Sequence, residues 1–136
     1  LGHEREAVGT ALRSVRALPE LAPLWSALES GDPGVTREFG LYIHSERYRL
    51  SGYADLLWFR DDELWIVDWK TGGSLTSLKR EERQNKIRLQ LQLYSEPFLS
   101  LFSRIRGVAV GIEVTQGRAE LILDEPLRGL NENPAE

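Results

Sequence analysis

The 136-residue sequence contains no cysteine and no methionine. Without cysteine the chain forms no disulfide and offers no thiolate to a zinc site or an iron–sulfur cluster. We therefore expect any metal site to use oxygen or nitrogen ligands, with no iron–sulfur cluster. A complete natural translation product is expected to start with methionine, whereas this chain starts at Leu1. We accordingly expect a domain excised from a longer protein.

Long apolar runs are also missing. A helix that spans a bilayer needs about 20 consecutive apolar residues, no stretch approaches that length, and no signal segment begins the chain. We expect a soluble, cytoplasmic protein with no membrane partner. The net charge of −4 argues against a basic coat over the whole surface but permits a local basic patch. With 41% apolar and 28% charged residues, we expect one globular domain over residues 1–136.

Hydrophobic periodicity predicts the order of the secondary-structure elements. Apolar residues at three- and four-residue intervals predict helices at Glu4–Ala17, Leu21–Leu28 and about Leu78–Tyr94. The predicted strands are Val35–Ile43, Tyr48–Phe59, Leu64–Trp69, Gly107–Val114 and Arg118–Leu123. The first three should form an antiparallel meander with a turn around residues 44–47, the last two a hairpin, and the chain from Asp124 onward a frayed tail. This order predicts an α/β fold with a central mixed β-sheet flanked by helices.

Two of the predicted strands carry charged residues in apolar surroundings. Side chains alternate along Leu64–Lys70, so Asp68 and Lys70 emerge on one face. Pairing with the preceding strand could bring Asp55 next to Asp68. Carboxylates hold Mg²⁺ or Mn²⁺, which polarises a phosphate and lowers the pKa of its bound water, and lysine stabilises developing negative charge. The main-chain carbonyl of Trp69 is a further candidate ligand, and hard oxygen ligands favour Mg²⁺ or Mn²⁺ over zinc.

Three short motifs in this order resemble a known family. The segments Gly52-x-x-Asp55, Asp68-Trp69-Lys70-Thr71-Gly72 and Gln90-x-x-x-Tyr94 are similar to the signature of the RecB-like branch of the PD-(D/E)xK nuclease superfamily. The resemblance covers roughly residues 35–95. It implies a restriction-endonuclease-like core and a metal-dependent deoxyribonuclease, either exonuclease or endonuclease. It also implies a parent protein in which a helicase domain or subunit accompanies the nuclease, acting in DNA repair or recombination.

The resemblance also implies a role for each residue that matches a motif. The implied catalytic residues are Asp55, Asp68, Lys70, Gln90 and Tyr94. Among them, Asp55 and Asp68 would bind the metal, Lys70 would be the catalytic lysine, and the two helix residues would lie near the site and the DNA. Glu38 matches an acid at the start of the first strand in related nucleases and is a further candidate ligand. Where the family often has a metal-binding histidine, after Gly9-Thr10, this chain has Arg13.

The predicted third helix begins with a basic segment. Its five basic residues, accompanied by two acids, are Lys79, Arg80, Arg83, Lys86 and Arg88. Such a run is usually an exposed helix face. Its position just after Asp68-Trp69-Lys70 also suits contact with phosphates beside the site, so we predict that it binds DNA.

These residues have structural interpretations as well. Asp68 and Lys70 could form a surface ion pair of little energetic value, and Asp55 could cap a turn. Gln90 and Tyr94 could be the polar margin of a core helix. The four tryptophans are more typical of a core than of base stacking, but base stacking stays open for Trp69, next to the site. An alternative function is a nuclease-fold module that binds DNA or a partner subunit without cutting. The presence of both acids and the lysine favours activity.

Overall fold

The computed structural model describes residues 2–44, 49–71 and 80–128. Its helices are α1 (Gly2–Arg16), α2 (Ala22–Ser30) and α3 (Arg80–Ser95). Its strands are β1 (Val35–His44), β2 (Arg49–Arg60), β3 (Glu63–Thr71), β4 (Arg104–Glu113) and β5 (Arg118–Pro126). The predicted order of helices and strands is confirmed. The predicted turn around residues 44–47 and the glycine-rich segment after β3 lie largely outside the described residues.

The five strands form one mixed sheet in the order β1-β2-β3-β4-β5. The first three strands make the predicted antiparallel meander, and β4 and β5 make the predicted hairpin. β3 and β4 run parallel, with α3 in the connection between them. Parallel neighbours need a long crossover because the chain must return to the same end of the sheet. The mixed sheet expected from the sequence is therefore confirmed.

Helices cover both faces of the sheet. On one face α3 packs through Ile87 and Leu91. On the other face α1 and α2 pack through Val15 and Leu24 against residues that include Trp65. A strand covered on both faces is apolar at successive positions, which explains the Leu-Trp-Ile-Val run at the start of β3. The fold is the expected α/β arrangement of a sheet flanked by helices.

The apolar stripe predicted for α1 is only half buried. Ala11 and Val15 are buried, whereas Val8 and Leu12 are 45% and 56% exposed. The helix packs against β5 and the 3₁₀ turn that follows β4, so only one side of the stripe meets the sheet. Within the described ranges, no helix has both the length and the apolar character that crossing a membrane requires.

The predicted frayed tail was wrong at its start. β5 continues to Pro126, and Leu127 is only 5% exposed. The backbone N–H of Leu127 donates to the carbonyl of Ile105 at 2.7 Å. Its side chain lies over Gly107, where an added Cβ would be 2.8 Å from it. Contact with β4, which is distant in sequence, keeps this part of the chain in the core.

Candidate active site

β2 and β3 separate at one end of the sheet. Their ladder ends at the pair Leu56 and Val67, and beyond it β2 stays paired with β1 while β3 stays paired with β4. Continuing the register would place Asp55 opposite Asp68, at the first position past the ladder. Directly opposite residues on antiparallel strands have Cβ atoms about 5 Å apart. The point of separation, called the fork below, therefore brings together the two acids predicted from the sequence.

Asp55 bridges the fork. Its Oδ2 atom accepts a hydrogen bond from the backbone N–H of Trp69 at 2.7 Å. Buried backbone N–H groups need acceptors, and past the end of the ladder this one is satisfied by a side chain. The contact fixes the Asp55 carboxylate beside the peptide that joins Asp68 to Trp69.

Asp68 is the buried acid of the site, with 5% of its surface exposed. The Nζ atom of Lys70 lies 2.9 Å from its Oδ2 atom. The ion pair with Lys70 occupies one lone pair of that buried oxygen, and no further partner for it is found among the described residues. Burial, as the largest cause, and the neighbouring Asp55 together raise the pKa of Asp68 to about 6, against the opposing effect of Lys70. A buried oxygen with a free lone pair is the kind of atom that a bound ion or ligand normally satisfies.

Lys70 starts a chain of hydrogen bonds that leads into α3. Its Nζ donates to Oε1 of Gln90 at 3.1 Å, and Nε2 of Gln90 donates to the hydroxyl of Tyr94 at 3.1 Å. The i,i+4 spacing of Gln90 and Tyr94 predicted that these two side chains share one face of α3. Two partners hold the ammonium group of Lys70. Because the side chain is 30% exposed, solvent can still reach this group.

Tyr94 lies near the site as predicted, but its ring is in the core. It is 5% exposed and packs in the apolar cluster under α3, deeper than the polar margin that the structural interpretation of the helix proposed. An added Cβ at Gly52 would lie 2.9 Å from the Tyr94 hydroxyl. The first and third sequence motifs are therefore in contact, and the glycine leaves the space that the phenol fills. Direct contact between the Tyr94 ring and DNA is not compatible with this burial.

Glu38 faces Asp55 from β1. The β1–β2 ladder skips this one pair, and Glu38 has a φ of 51°, a left-handed conformation that is strained for a residue with a Cβ. Val35 packs on the α2 face of the sheet, whereas Phe39 packs on the α3 face. The irregularity at Glu38 therefore reverses the alternation of side chains along β1. Residues four apart on a regular strand would share a face. Glu38 and Asp55 line one cavity.

The fork suits a hard cation with few protein ligands. Within the described residues, no three His, Cys, Asp or Glu side chains are grouped as a metal centre. Mg²⁺ usually keeps several waters and takes only one or two carboxylates, so the pair Asp55 and Asp68 fits it. The buried Oδ2 atom of Asp68 is paired with the Lys70 ammonium at 2.9 Å and has a second lone pair for a ligand. A structural zinc site, with four nitrogen or sulfur ligands, does not fit.

Two of the basic residues predicted to bind DNA are paired with acids of β5. Arg80 forms an ion pair with Glu120, and Arg88 forms one with Glu125. These acids are distant in sequence, so the sequence pattern of the helix could not reveal the pairing. The two arginines face β5, the edge strand two places away from β3 in the sheet.

The other basic residues of α3 are on the side of the fork. Within the described ranges, neither Arg83 nor Lys86 takes part in an ion pair. They precede Gln90 by seven and four residues, which places all three on one face of the helix. Lys79, the fifth predicted residue, lies outside the described residues. Arg83 and Lys86 are therefore basic residues of α3 that have no acidic partner among the described residues.

Arg13, at the position where the resemblance implies a histidine, is on an exposed face of α1. Its Nη2 atom donates to the side chain of Thr10 on the same helix at 3.1 Å. This contact directs the guanidinium along the helix surface. No contact with the acids of the fork is found among the described residues.

Trp25 lies near the site although its sequence position did not suggest it. Its ring stacks with that of Trp69, with centroids 6.1 Å apart and planes inclined by 8°. It lines a cavity of about 310 Å³ whose walls include Arg37 and Asp55. The helical spacing of Trp25 marks it only as an apolar residue of α2, and no local signal relates it to the strands.

Comparisons with known proteins were made on the whole chain. The sequence model described as the PD-(D/E)XK nuclease superfamily matches residues 3–121. One solved structure, titled "Crystal structure of SSO0001", is 23% identical with a TM-score of 0.43, and the match covers 93% of this chain and 62% of that chain. This chain thus corresponds to less than two thirds of that neighbour's length. The comparison with curated proteins found no match. Because the family match spans most of the chain, including the fork and α3, the chain belongs to the PD-(D/E)XK nuclease superfamily.

Proposed function

We propose that this domain hydrolyses phosphodiester bonds in DNA with Mg²⁺ or Mn²⁺, and that it belongs to the RecB-like branch of the superfamily. The observation that carries the proposal is the placement of Lys70. Its ammonium lies between the Asp68 carboxylate and the Gln90 amide, and Asp55 faces Asp68 across the fork. Membership of a nuclease superfamily supports the reaction class.

The two acids would hold the metal ion. We assign Asp55 and Asp68 as its carboxylate ligands, with the main-chain carbonyl of Trp69 and Glu38 as further candidates. Bound there, the ion would polarise the phosphate and lower the pKa of a bound water. The burial of the Asp68 carboxylate beside Asp55 and Lys70 supports this assignment. So does the Asp55 hydrogen bond to Trp69, because it fixes the peptide next to the proposed carbonyl ligand.

Lys70 would supply positive charge to the phosphate in the transition state. An ammonium group has three protons to donate. Asp68 and Gln90 lie within hydrogen-bonding distance of two of them, which leaves one for a phosphate oxygen. A donor held in place before the reaction stabilises developing charge without having to reorganise. Gln90 and Tyr94 are positioning residues in this scheme, because they reach the phosphate only through Lys70.

DNA would lie across the fork and the neighbouring face of α3. Arg83 and Lys86 are on the same helix face as Gln90 and have no competing acid among the described residues. Their charges would contact the phosphate backbone, which positions DNA without reading its sequence. Arg80 and Arg88 are held by acids on β5 and contribute less.

The parent protein would combine this nuclease with a helicase domain or subunit and act in DNA repair or recombination. The order and spacing of the three sequence motifs support that assignment.

A cleavage assay tests the proposed function. Labelled linear and circular DNA are incubated with Mg²⁺, Mn²⁺ or a chelator, with the wild type and with Lys70→Ala. We expect cleavage that needs the metal and is lost in the variant; cutting of circles would identify an endonuclease. Cleavage in chelator, or equal rates in the two proteins, would refute the mechanism. Binding without any cleavage would favour the non-cutting module instead.

A further inference from the structure

We infer that the cavity between α2 and the fork, called the indole cavity, binds one nucleobase of the DNA strand next to the phosphate at the fork. The inference rests on the proposed function and extends it to a base-binding site. The cavity has a volume of about 310 Å³, and its walls include Trp25, Trp69 and Asp55.

The aromatic walls match the chemistry of a base. The rings of Trp25 and Trp69 are nearly parallel, with an interplanar angle of 8° and centroids 6.1 Å apart. Every base has a π face, so an indole ring can stack on any of the four bases. Such a site would suit a nuclease that must hold a strand without selecting its sequence.

An unpaired donor indicates that the cavity takes a ligand with an acceptor. The Nε1 atom of Trp25 is buried, and it has no hydrogen-bond partner among the described residues. Buried indole N–H groups usually have one. The two core tryptophans do: Trp58 donates to Asp32 at 3.2 Å and Trp65 donates to Glu63 at 2.7 Å. The Trp25 ring would have to turn to expose this N–H before a carbonyl oxygen or ring nitrogen of a base could accept from it.

The cavity shares a wall with the acid pair. Asp55 lines it and also holds the backbone N–H of Trp69. Arg37 is exposed at the same cavity and can meet a phosphate of the strand. A free anion would fit poorly against the carboxylates of Glu38 and Asp55, whereas a neutral heteroaromatic ring would not be repelled. A base whose phosphate lies at the fork meets all of these conditions.

The test combines an abasic scan of the substrate with changes at Trp25. Single-stranded oligonucleotides carry one abasic site, moved one position at a time. The dissociation constant is measured in chelator, and the KM for cleavage is measured in Mn²⁺. The proteins are the wild type, Trp25→Ala and Trp25→Phe, with Trp58→Phe as the matched change in the core. Trp25→Phe keeps an aromatic ring and loses the N–H donor, so it serves if the alanine variant does not fold.

For the wild type we expect one abasic position to weaken binding by roughly 5- to 100-fold, the range measured for a base stacked on an aromatic residue. Trp25→Ala should bind the intact strand more weakly by a similar factor and show no further loss at that position. With the abasic site at that position, Trp25→Phe should lose less affinity than the wild type does. Trp58→Phe should lose as much affinity as the wild type. A flat scan in a wild type that binds and cuts DNA overturns the inference and leaves the proposed function standing. The same penalty in all four proteins also overturns it. A wild type that neither binds nor cuts overturns both.

Discussion

Gly52 and the hydroxyl of Tyr94 are so close that a Cβ at position 52 would lie 2.9 Å from the phenol oxygen. The two residues are in different motifs, one on β2 and the other on α3. The phenol in turn accepts the amide hydrogen bond of Gln90, which accepts from Lys70. The orientation of the lysine therefore depends on a glycine that carries no chemistry of its own.

Gly52→Ala should lower the cleavage rate without removing any functional group. The new methyl group would push the Tyr94 hydroxyl away and loosen the hold of Gln90 on Lys70. A misplacement of about 1 Å at an active site can cost on the order of 100-fold in rate. The matched control is Gly40→Ala, whose Cβ would meet only the exposed ring of Tyr53 at 3.3 Å. The measurement is the single-turnover cleavage rate of Gly52→Ala and of Gly40→Ala. Equal rates in the two variants would mean that the contact does not position the lysine.

Lys70→Ala and Asp68→Asn should each reduce the rate of cleavage by roughly 100- to 1,000-fold, the usual effect of losing one group that stabilises a transition state. Their effects on metal affinity should differ. Asp68→Asn should weaken Mn²⁺ binding in a calorimetric titration, because it replaces a charged ligand with a neutral amide. Lys70→Ala should leave that affinity largely unchanged. Wild-type cleavage rates in both variants would exclude these residues from the mechanism.

Asp68 should make the metal-free protein less stable as the pH rises. Its pKa is about 6 in the folded protein, against 3.8 for an ordinary aspartate. Between these values the folded state keeps a proton that the unfolded state has released, so stability falls with increasing pH and the full penalty is present above pH 6. The shift corresponds to on the order of 2 to 3 kcal/mol. The quantity to compare, in chelator, is the free energy of unfolding of Asp68→Asn minus that of the wild type. This difference should increase by about that amount from pH 4 to pH 8. Urea titrations measure it, and a difference that does not change with pH would contradict the prediction.

Charge reversal at Arg83 and Lys86 should weaken DNA binding and flatten its salt dependence. Each lost phosphate contact reduces the slope of log K against log salt by about 0.7 to 0.9, so the pair should reduce it by roughly 1.4 to 1.8. The control is the same charge change at Arg104 and Arg128, which line a separate cavity at the opposite end of β4 from the fork. A slope that changes equally in both double variants would show a general charge effect instead of local contacts.

Local patterns in the sequence were sufficient for most of the fold. Apolar runs with a period of two or close to 3.6 predict strands and helices, because these periods arise from backbone geometry over a few residues. They placed Asp68 and Lys70 on one face of β3, and Gln90 and Tyr94 on one face of α3. The end of β5 was missed, since Leu127 is held by Ile105 on another strand.

The candidate site was only partly predictable. The order of the motifs predicted that the acids, the lysine and the glutamine lie close together. The structure places these residues in contact. The pairing of Arg88 with Glu125 and the position of Trp25 beside Asp55 had no local signal. Both depend on which segments the fold brings together.

By itself, the sequence determined which residues share a face of a strand or a helix, and hence that Asp68 and Lys70 lie side by side. Only the tertiary structure decided that Asp55 holds the Trp69 N–H where β2 and β3 part, and that Asp68 is buried beside Lys70. The physical reason is the range of the interactions. Periodicity reports geometry along a few successive residues, whereas burial, pKa and the partners of a charge depend on distances between segments that are far apart in the chain.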